Sequence, residues 1–156
     1  MTPSARRIQP GVRHVAIRAE HEVTAPQGPS GRVSAELEIR RIDFVAIPSR
    51  DAARSKAFYG ETLGLRPDDH RGLEFWAADT CLNIWEPARF GVEFRPQKGA
   101  HLAFQVDDVE QARKELEARG VAFEGDTVDT GVCLMASFTD PDGNDLMLHH
   151  RYAAYD

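Results

Sequence analysis

Histidine and cysteine are the residues of this chain best suited to chemistry near neutral pH, and their placement narrows what that chemistry can be. There are six histidines and two cysteines in 156 residues. His101 opens the alternating run His-Leu-Ala-Phe-Gln-Val, where an imidazole would project from one face of a strand and could serve as a general base, because it titrates near neutrality. It is the best catalytic candidate, although no catalytic role is assigned from the residues. His149 and His150 lie in a second strand-like run near the C-terminus. Cys81 and Cys133 sit inside apolar runs, where a thiol packs as a small hydrophobe, and neither has neighbours that would lower its pKa and make it a nucleophile.

Composition removes several classes of partner. The 25 acidic residues outnumber the 19 basic ones, for a formal charge of −6, which repels a phosphate backbone; nucleic acid is not an expected partner. No stretch approaches the roughly 18 consecutive apolar residues of a membrane span, and no secretory leader pattern opens the chain, so a cytoplasmic location without membrane contact is expected. Two cysteines in apolar runs fit a reducing compartment.

The elements that must position these side chains begin after residue 38. Residues 1–38 are broken by Pro3, Pro10, Gly11, Pro26, Gly28, Pro29 and Gly31, and read as a mobile extension, or as an arm that covers a cleft or grips a second subunit. Residues 39–152 read as the folded domain. Ile42 to Ile47 alternates as a strand, Ser49 or Asp51 can cap a helix, and that helix runs to Gly64. Strand-like runs follow around Leu65, at Leu73 to Ala77 and at Cys81 to Trp85. The order then starts again: strand at His101, cap at Asp108, a helix with Val109, Ala112 and Leu116 on one stripe, Gly120 at its end, and runs at Val121 to Phe123, Gly131 to Phe138 and Asp145 to His149. The same interval separates Asp51 from Asp108 and Phe44 from His101. Two βαβββ repeats, at about 41–87 and 99–150, are the simplest reading.

Strand alternation also sorts the faces. Phe44, Ala46, Cys81, Asn83, Trp85, His101, Ala103, Gln105, Met147 and His149 should share one side, while Val45, Ile47, Leu82, Ile84, Leu102, Phe104, Leu146 and Leu148 should pack under the helices. The first set is aromatic with a few polar groups, which suits a pocket for an organic ligand. A filled core is the competing reading, but a core would not place Asn83, Gln105 and His101 together, since each unpaired buried polar group costs about 1–3 kcal/mol.

The order of motifs resembles the vicinal oxygen chelate superfamily, which includes glyoxalase I, ring-cleaving dioxygenases and bleomycin-binding proteins. The carriers are Phe58-Tyr59 with Leu63-Gly64-Leu65, His101-Leu-Ala-Phe with Val106-Asp107-Asp108, and Asp140-Pro-Asp-Gly-Asn. The resemblance implies an α+β fold in which two βαβββ units form a curled mixed sheet with a central cleft and helices outside, commonly as a homodimer. Family enzymes hold one divalent metal with four side chains, drawn from His, Glu and Gln, on the first and last strand of each unit. Those positions fall on Phe44, Asn83, His101 and Met147, only one of which is a good ligand. The expectation is therefore a small-molecule-binding protein with no metal cofactor, whose ligand, planar or aromatic, meets Phe44, Asn83, Trp85, His101, Gln105, Met147 and His149. The alternative is a metal-dependent lyase or dioxygenase with one divalent metal at a rearranged site using His101 and His149, with Glu86 or Asn83 as further donors.

Overall fold

The computed structural model describes residues 39–154, which belong to one compact unit. The extension or arm expected over residues 1–38 lies outside the described residues. Each repeat builds its own four-stranded sheet. The first comprises β1 (Phe44–Pro48), helix α1 (Ala52–Ala57), β2 (Arg66–Pro67), β3 (Glu74–Ala77) and β4 (Thr80–Trp85), in the order β1-β4-β3-β2. The second comprises β5 (Leu102–Gln105), α2 (Val109–Ala118), β6 (Phe123–Asp129), β7 (Cys133–Thr139) and β8 (Asp145–Arg151), in the order β5-β8-β7-β6. In each, the first and last strands are parallel neighbours and the other pairs are antiparallel. Parallel neighbours need a crossover, which the helix and the intervening hairpin supply. Together the sheets make the curled α+β architecture.

The repeat register holds at the level of pairing. Val45 stands opposite Leu82 and Leu102 opposite Leu146, so Phe44 and His101 occupy equivalent places. The two helices start in the same way: the Asp51 carboxylate accepts from the amides of Ala53 and Arg54 at 3.0 and 3.1 Å, and that of Asp108 accepts from Gln111 at 2.9 Å. Each cap satisfies amides that the first helical turn leaves without partners.

Several elements differ in extent from the sequence reading. α1 ends at Ala57, and Phe58–Thr62 forms one π-helical turn instead of continuing the α-helix to Gly64. Gly60 sits on this turn above Phe75, so close that a Cβ would lie 3.1 Å from the ring. The run near Leu65 is only the two-residue β2, because Pro67 has no N–H to extend the ladder. β5 begins at Leu102, leaving His101 just before it. Val121 is not in a strand; its amide bonds to Leu116 O at 2.9 Å and its side chain is buried beneath α2, so β6 starts later and runs further than expected.

One hydrophobic cluster serves both units. Ile47, Phe75, Leu82 and Ile84 from the first sheet and Ala136, Phe138, Leu146 and Leu148 from the second meet Phe58, Tyr59, Val109 and Leu116 from the helical segments. Every sheet residue expected to pack under the helices is buried or half-buried. A polar cluster locks the units together beside this core. The turn Asp140-Pro-Asp-Gly-Asn reaches the corner between β1 and α1: Asp142 accepts from Ser49 Oγ at 2.9 Å and from Arg54 at 2.6 Å. Asp140 accepts the Tyr59 hydroxyl at 2.9 Å, and Asn144 Nδ2 donates to Pro48 O at 2.9 Å. Burial, then the neighbouring Asp140 carboxylate, pushes the Tyr59 hydroxyl pKa well up, so it remains a donor at any ordinary pH.

The Asp142 side chain has no solvent exposure, whereas Arg54 is 47% exposed. Deleting the carboxylate strands several donors in a dry place, so Asp142→Ala should cost about 2 to 3 kcal/mol, at the lower end of buried ion-pair losses because Arg54 can turn to water. Glu93→Ala, at a pair exposed on both sides, should cost under about 0.5 kcal/mol. Urea denaturation of the two variants checks the contrast; equal costs would mean the turn does not hold the units.

Candidate binding site

The face of each sheet that points away from the helices carries the expected polar and aromatic set. On the first sheet, pairing puts Phe44 opposite Cys81 and Trp76, in turn, opposite Cys81, while Glu74 stands opposite Asn83. Side chains of directly opposed residues share a face, so these five and Trp85 form one surface. Phe44, Glu74, Trp76, Cys81 and Asn83 border a pocket of about 340 Å³ with Arg41, Asp43 and Arg71 at its rim, and Trp85 stands outside it. Phe44 is 57% exposed although it is a large apolar side chain.

Glu74 organises this surface. Its carboxylate accepts from Asn83 Nδ2 at 3.2 Å and from the Cys81 thiol at 3.9 Å, and the Arg71 guanidinium lies 4.0 Å away. Burial, and after it the Glu74 charge, raises the Cys81 pKa, so Cys81 stays a thiol and is a poor nucleophile. Trp76 is held by its indole N–H, which donates to Asp68 at 3.0 Å. Asp68 also accepts from the amides of His70 and Arg71, and these bonds, led by the one from His70, lower its pKa. Trp85 ends β4 and packs 6.1 Å from Phe90, a ring that is 72% exposed on the short 3-10 turn Pro87–Phe90.

On the second sheet, Ala103 stands opposite Met147 and Gln105 opposite His149, with Ser137 and Met135 completing the rows from β7. His101 is exposed and level with Asp145. Asp145 accepts from Lys98 Nζ at 2.6 Å and from the Gly99 amide at 2.7 Å; these bonds, the lysine's first, lower its pKa, and the positive field of His101 adds to them. His150 faces the opposite side and bonds Val106 O at 2.9 Å.

Two sequence expectations meet this geometry with different results. Phe44 and Asn83 share the first-sheet pocket, whereas Met147 and His149 are half-buried on β8 and Gln105 borders a separate cavity. The rearranged metal pair is not brought together. His101 lies at the level of Asp145, four residues along β8 from His149, which is about 13 Å at roughly 3.3 Å per residue. Two imidazoles standing off the sheet at that spacing cannot both approach one ion to about 2.1 Å. Glu86 is also turned away, accepting the Ala52 amide at 3.3 Å and pairing with Arg89. Among the described residues no group of three or more His, Cys, Asp or Glu side chains converges on a point. At the family's four metal positions, Phe44 offers no lone pair, Met147 only a thioether, and the Asn83 amide is engaged with Glu74. The donor set does not fit a tightly held divalent ion.

Sequence reasoning missed Glu74 and Trp76, although alternation through Leu73 to Ala77 places both on the side of Asn83. It also missed a larger cavity of about 880 Å³ on the helix side, where Val45, Leu102, Phe104 and Leu148 meet Ala112 and Leu116 of α2. No ladder joins β1 to β5, so the sheets leave room at this seam. That lining is mainly apolar, with Thr80, Gln105, Glu115 and Arg119 as its polar groups.

The comparisons with known proteins agree with this architecture. The Glyoxalase family model, described as the Glyoxalase/Bleomycin resistance protein/Dioxygenase superfamily, matches residues 41–148. "Uncharacterized protein YaeR" of Escherichia coli (strain K12) is 33% identical over 128 residues, spanning 74% of this chain and 99% of YaeR. Among solved structures, TnmS3, an antibiotic binding protein from Streptomyces sp. CB03234, is 27% identical with a TM-score of 0.61, covering 74% of this chain and 99% of TnmS3. A superfamily member from Sphaerobacter thermophilus DSM 20745 has a TM-score of 0.63 at 24% identity, covering 72% of this chain and 98% of its own, and shares the fold. The chain belongs to the glyoxalase, bleomycin-resistance and dioxygenase superfamily. Among the described residues no helix is long and apolar enough to cross a membrane.

Proposed function

We propose that this chain is a small-molecule-binding protein that holds a planar or aromatic organic ligand on the face of its sheets away from the helices, without a divalent metal. The observation that carries this reading is the company kept by Phe44: an exposed ring shares a pocket with Trp76, Glu74 and Asn83 at a place where family enzymes have a metal ligand. Rings give affinity through stacking and apolar burial, and a few polar atoms fix orientation. The antibiotic binding of TnmS3, a relative of similar fold, supports a binding role. A second reading, catalysis with His101 as general base, draws on its exposed position level with Asp145.

The chain is also proposed to act in the cytoplasm as a homodimer. Ile42, Phe90 and Val92 are exposed apolar side chains, and β1 and β5 have one unpaired edge each, which a second copy can cover. Sedimentation at micromolar concentration should show twice the 17.4 kDa chain mass; a single species at the monomer mass contradicts the dimer.

The metal expectation has its own check. Calorimetric titration of nickel, zinc, iron and manganese into the chain should give weak binding, and glyoxalase I activity with each should be slight. If the scaffold keeps the family geometry, Phe44→His with Met147→Glu should raise the affinity, since it adds two strong donors to His101. Stoichiometric tight binding by the unmodified chain, lost in His101→Ala, would replace the binding-protein reading with a metalloenzyme.

A further inference from the structure

We propose that the first-sheet pocket receives a basic nitrogen of the ligand, with the Glu74 carboxylate as counter-ion and the rings of Phe44 and Trp76 lining the same pocket. This deepens the binding function proposed above and rests on it. An ionised carboxylate offers about four lone-pair sites. At Glu74, one is taken by Asn83 at 3.2 Å, and the thiol contact at 3.9 Å is weak. The remaining neighbour, Arg71, lies at 4.0 Å and is 74% exposed, so it is loosely held and screened by salt. The Glu74 side chain itself is only 21% exposed. Its charge therefore acts in partly desolvated surroundings with acceptor capacity to spare, where a cation gains more than it would in water.

The walls suit a cation as well. A cation is drawn to the negative face of an aromatic ring, and the Trp76 ring already carries one, the Arg66 guanidinium 5.7 Å from its centroid. The bond from the Trp76 indole to Asp68 fixes the ring in place. At the rim, Arg41 is paired with Asp43 at 2.9 Å, so it brings no net charge to the mouth. Arg41, Arg71, Asp43 and Glu74 balance in formal charge, and the least exposed end of the Arg71–Glu74 pair is the carboxylate, 21% against 74%. The formal charge of −6 on the whole chain adds a long-range attraction for cations. At about 340 Å³ the pocket has room for a fused pair of rings with an aminomethyl arm.

Three probes of nearly one shape separate the possibilities: naphthylmethylamine, naphthalenemethanol and naphthoate, titrated calorimetrically into the full chain. The amine should bind about tenfold tighter than the alcohol, as expected for one partly buried charge pair, and naphthoate should bind most weakly. In Glu74→Gln, which keeps an oxygen for Asn83, the amine should fall to the level of the alcohol while the alcohol changes less than about twofold. Phe44→Ala gives a second handle, because this exposed side chain can be removed without opening the core; it should weaken the amine more than the alcohol. Equal affinities for amine and alcohol in the unmodified chain, or a preference for naphthoate, overturn the inference. If the alcohol nevertheless binds and Trp85→Ala weakens it, the binding function itself survives that result. No binding of any of the three contradicts both.

Discussion

The turn between β7 and β8 buries the carboxylates of Asp140 and Asp142 against the β1–α1 corner of the other unit, and the mutual placement of the two sheets depends on that contact. Charges removed from water must be partnered by good geometry or the fold loses several kcal/mol. Here Ser49, Ser55 and Arg54 surround Asp142, and Tyr59 together with the turn's own amides surrounds Asp140. Asn144 extends the network in two directions, to Pro48 O and, as acceptor, from the Gln97 amide at 2.8 Å. The linker between the repeats is thereby tied to the same point. Hydrophobic burial supplies the non-directional drive, but these bonds specify how one unit sits on the other.

That placement determines what the outer faces can do. With Ile47, Leu82, Ile84, Leu146 and Leu148 committed to the common core, alternation turns Phe44, Asn83, Trp85, Met147 and His149 to the other side. The parallel pairing of first and last strands then fixes the levels: Asn83 beside Ala46, Met147 beside Ala103, and His101 beside Asp145. The same register that brings Phe44 to the Glu74 pocket keeps His101 and His149 apart. On the first sheet the result is an aromatic surface with one carboxylate in it.

Much of this was legible in the sequence because period and capping are local signals. Asp51 and Asp108 announce the two helices, and the alternation in β1, β4, β5 and β8 gives the faces correctly wherever burial can check them. What stayed hidden depends on partners distant in the chain. The π-helical turn at Phe58–Thr62 arises where Gly60 meets Phe75, a contact no local pattern announces. The motifs Phe58-Tyr59 and Asp140-Pro-Asp-Gly-Asn were visible as separate family marks, yet their joint role appears only when the Tyr59 hydroxyl is seen to bond Asp140. Glu74 carries no local signal of its own; its place comes from the pairing that sets it opposite Asn83. His101 and His149 looked compatible by alternation, which reports the face and not the distance along it.

Both tryptophans of the chain, Trp76 and Trp85, lie on the face away from the helices, which makes their indole N–H resonances direct reporters of where a ligand sits. The most direct test of the account is nuclear magnetic resonance of the nitrogen-labelled chain titrated with naphthylmethylamine. The account predicts saturable shifts of both indole signals, largest at Trp76, with the amides of Phe44 and Asn83 moving in step. Shifts confined to Leu102, Phe104, Ala112 and Leu148, with both indoles unmoved, would place the ligand in the cavity beside α2 and contradict it.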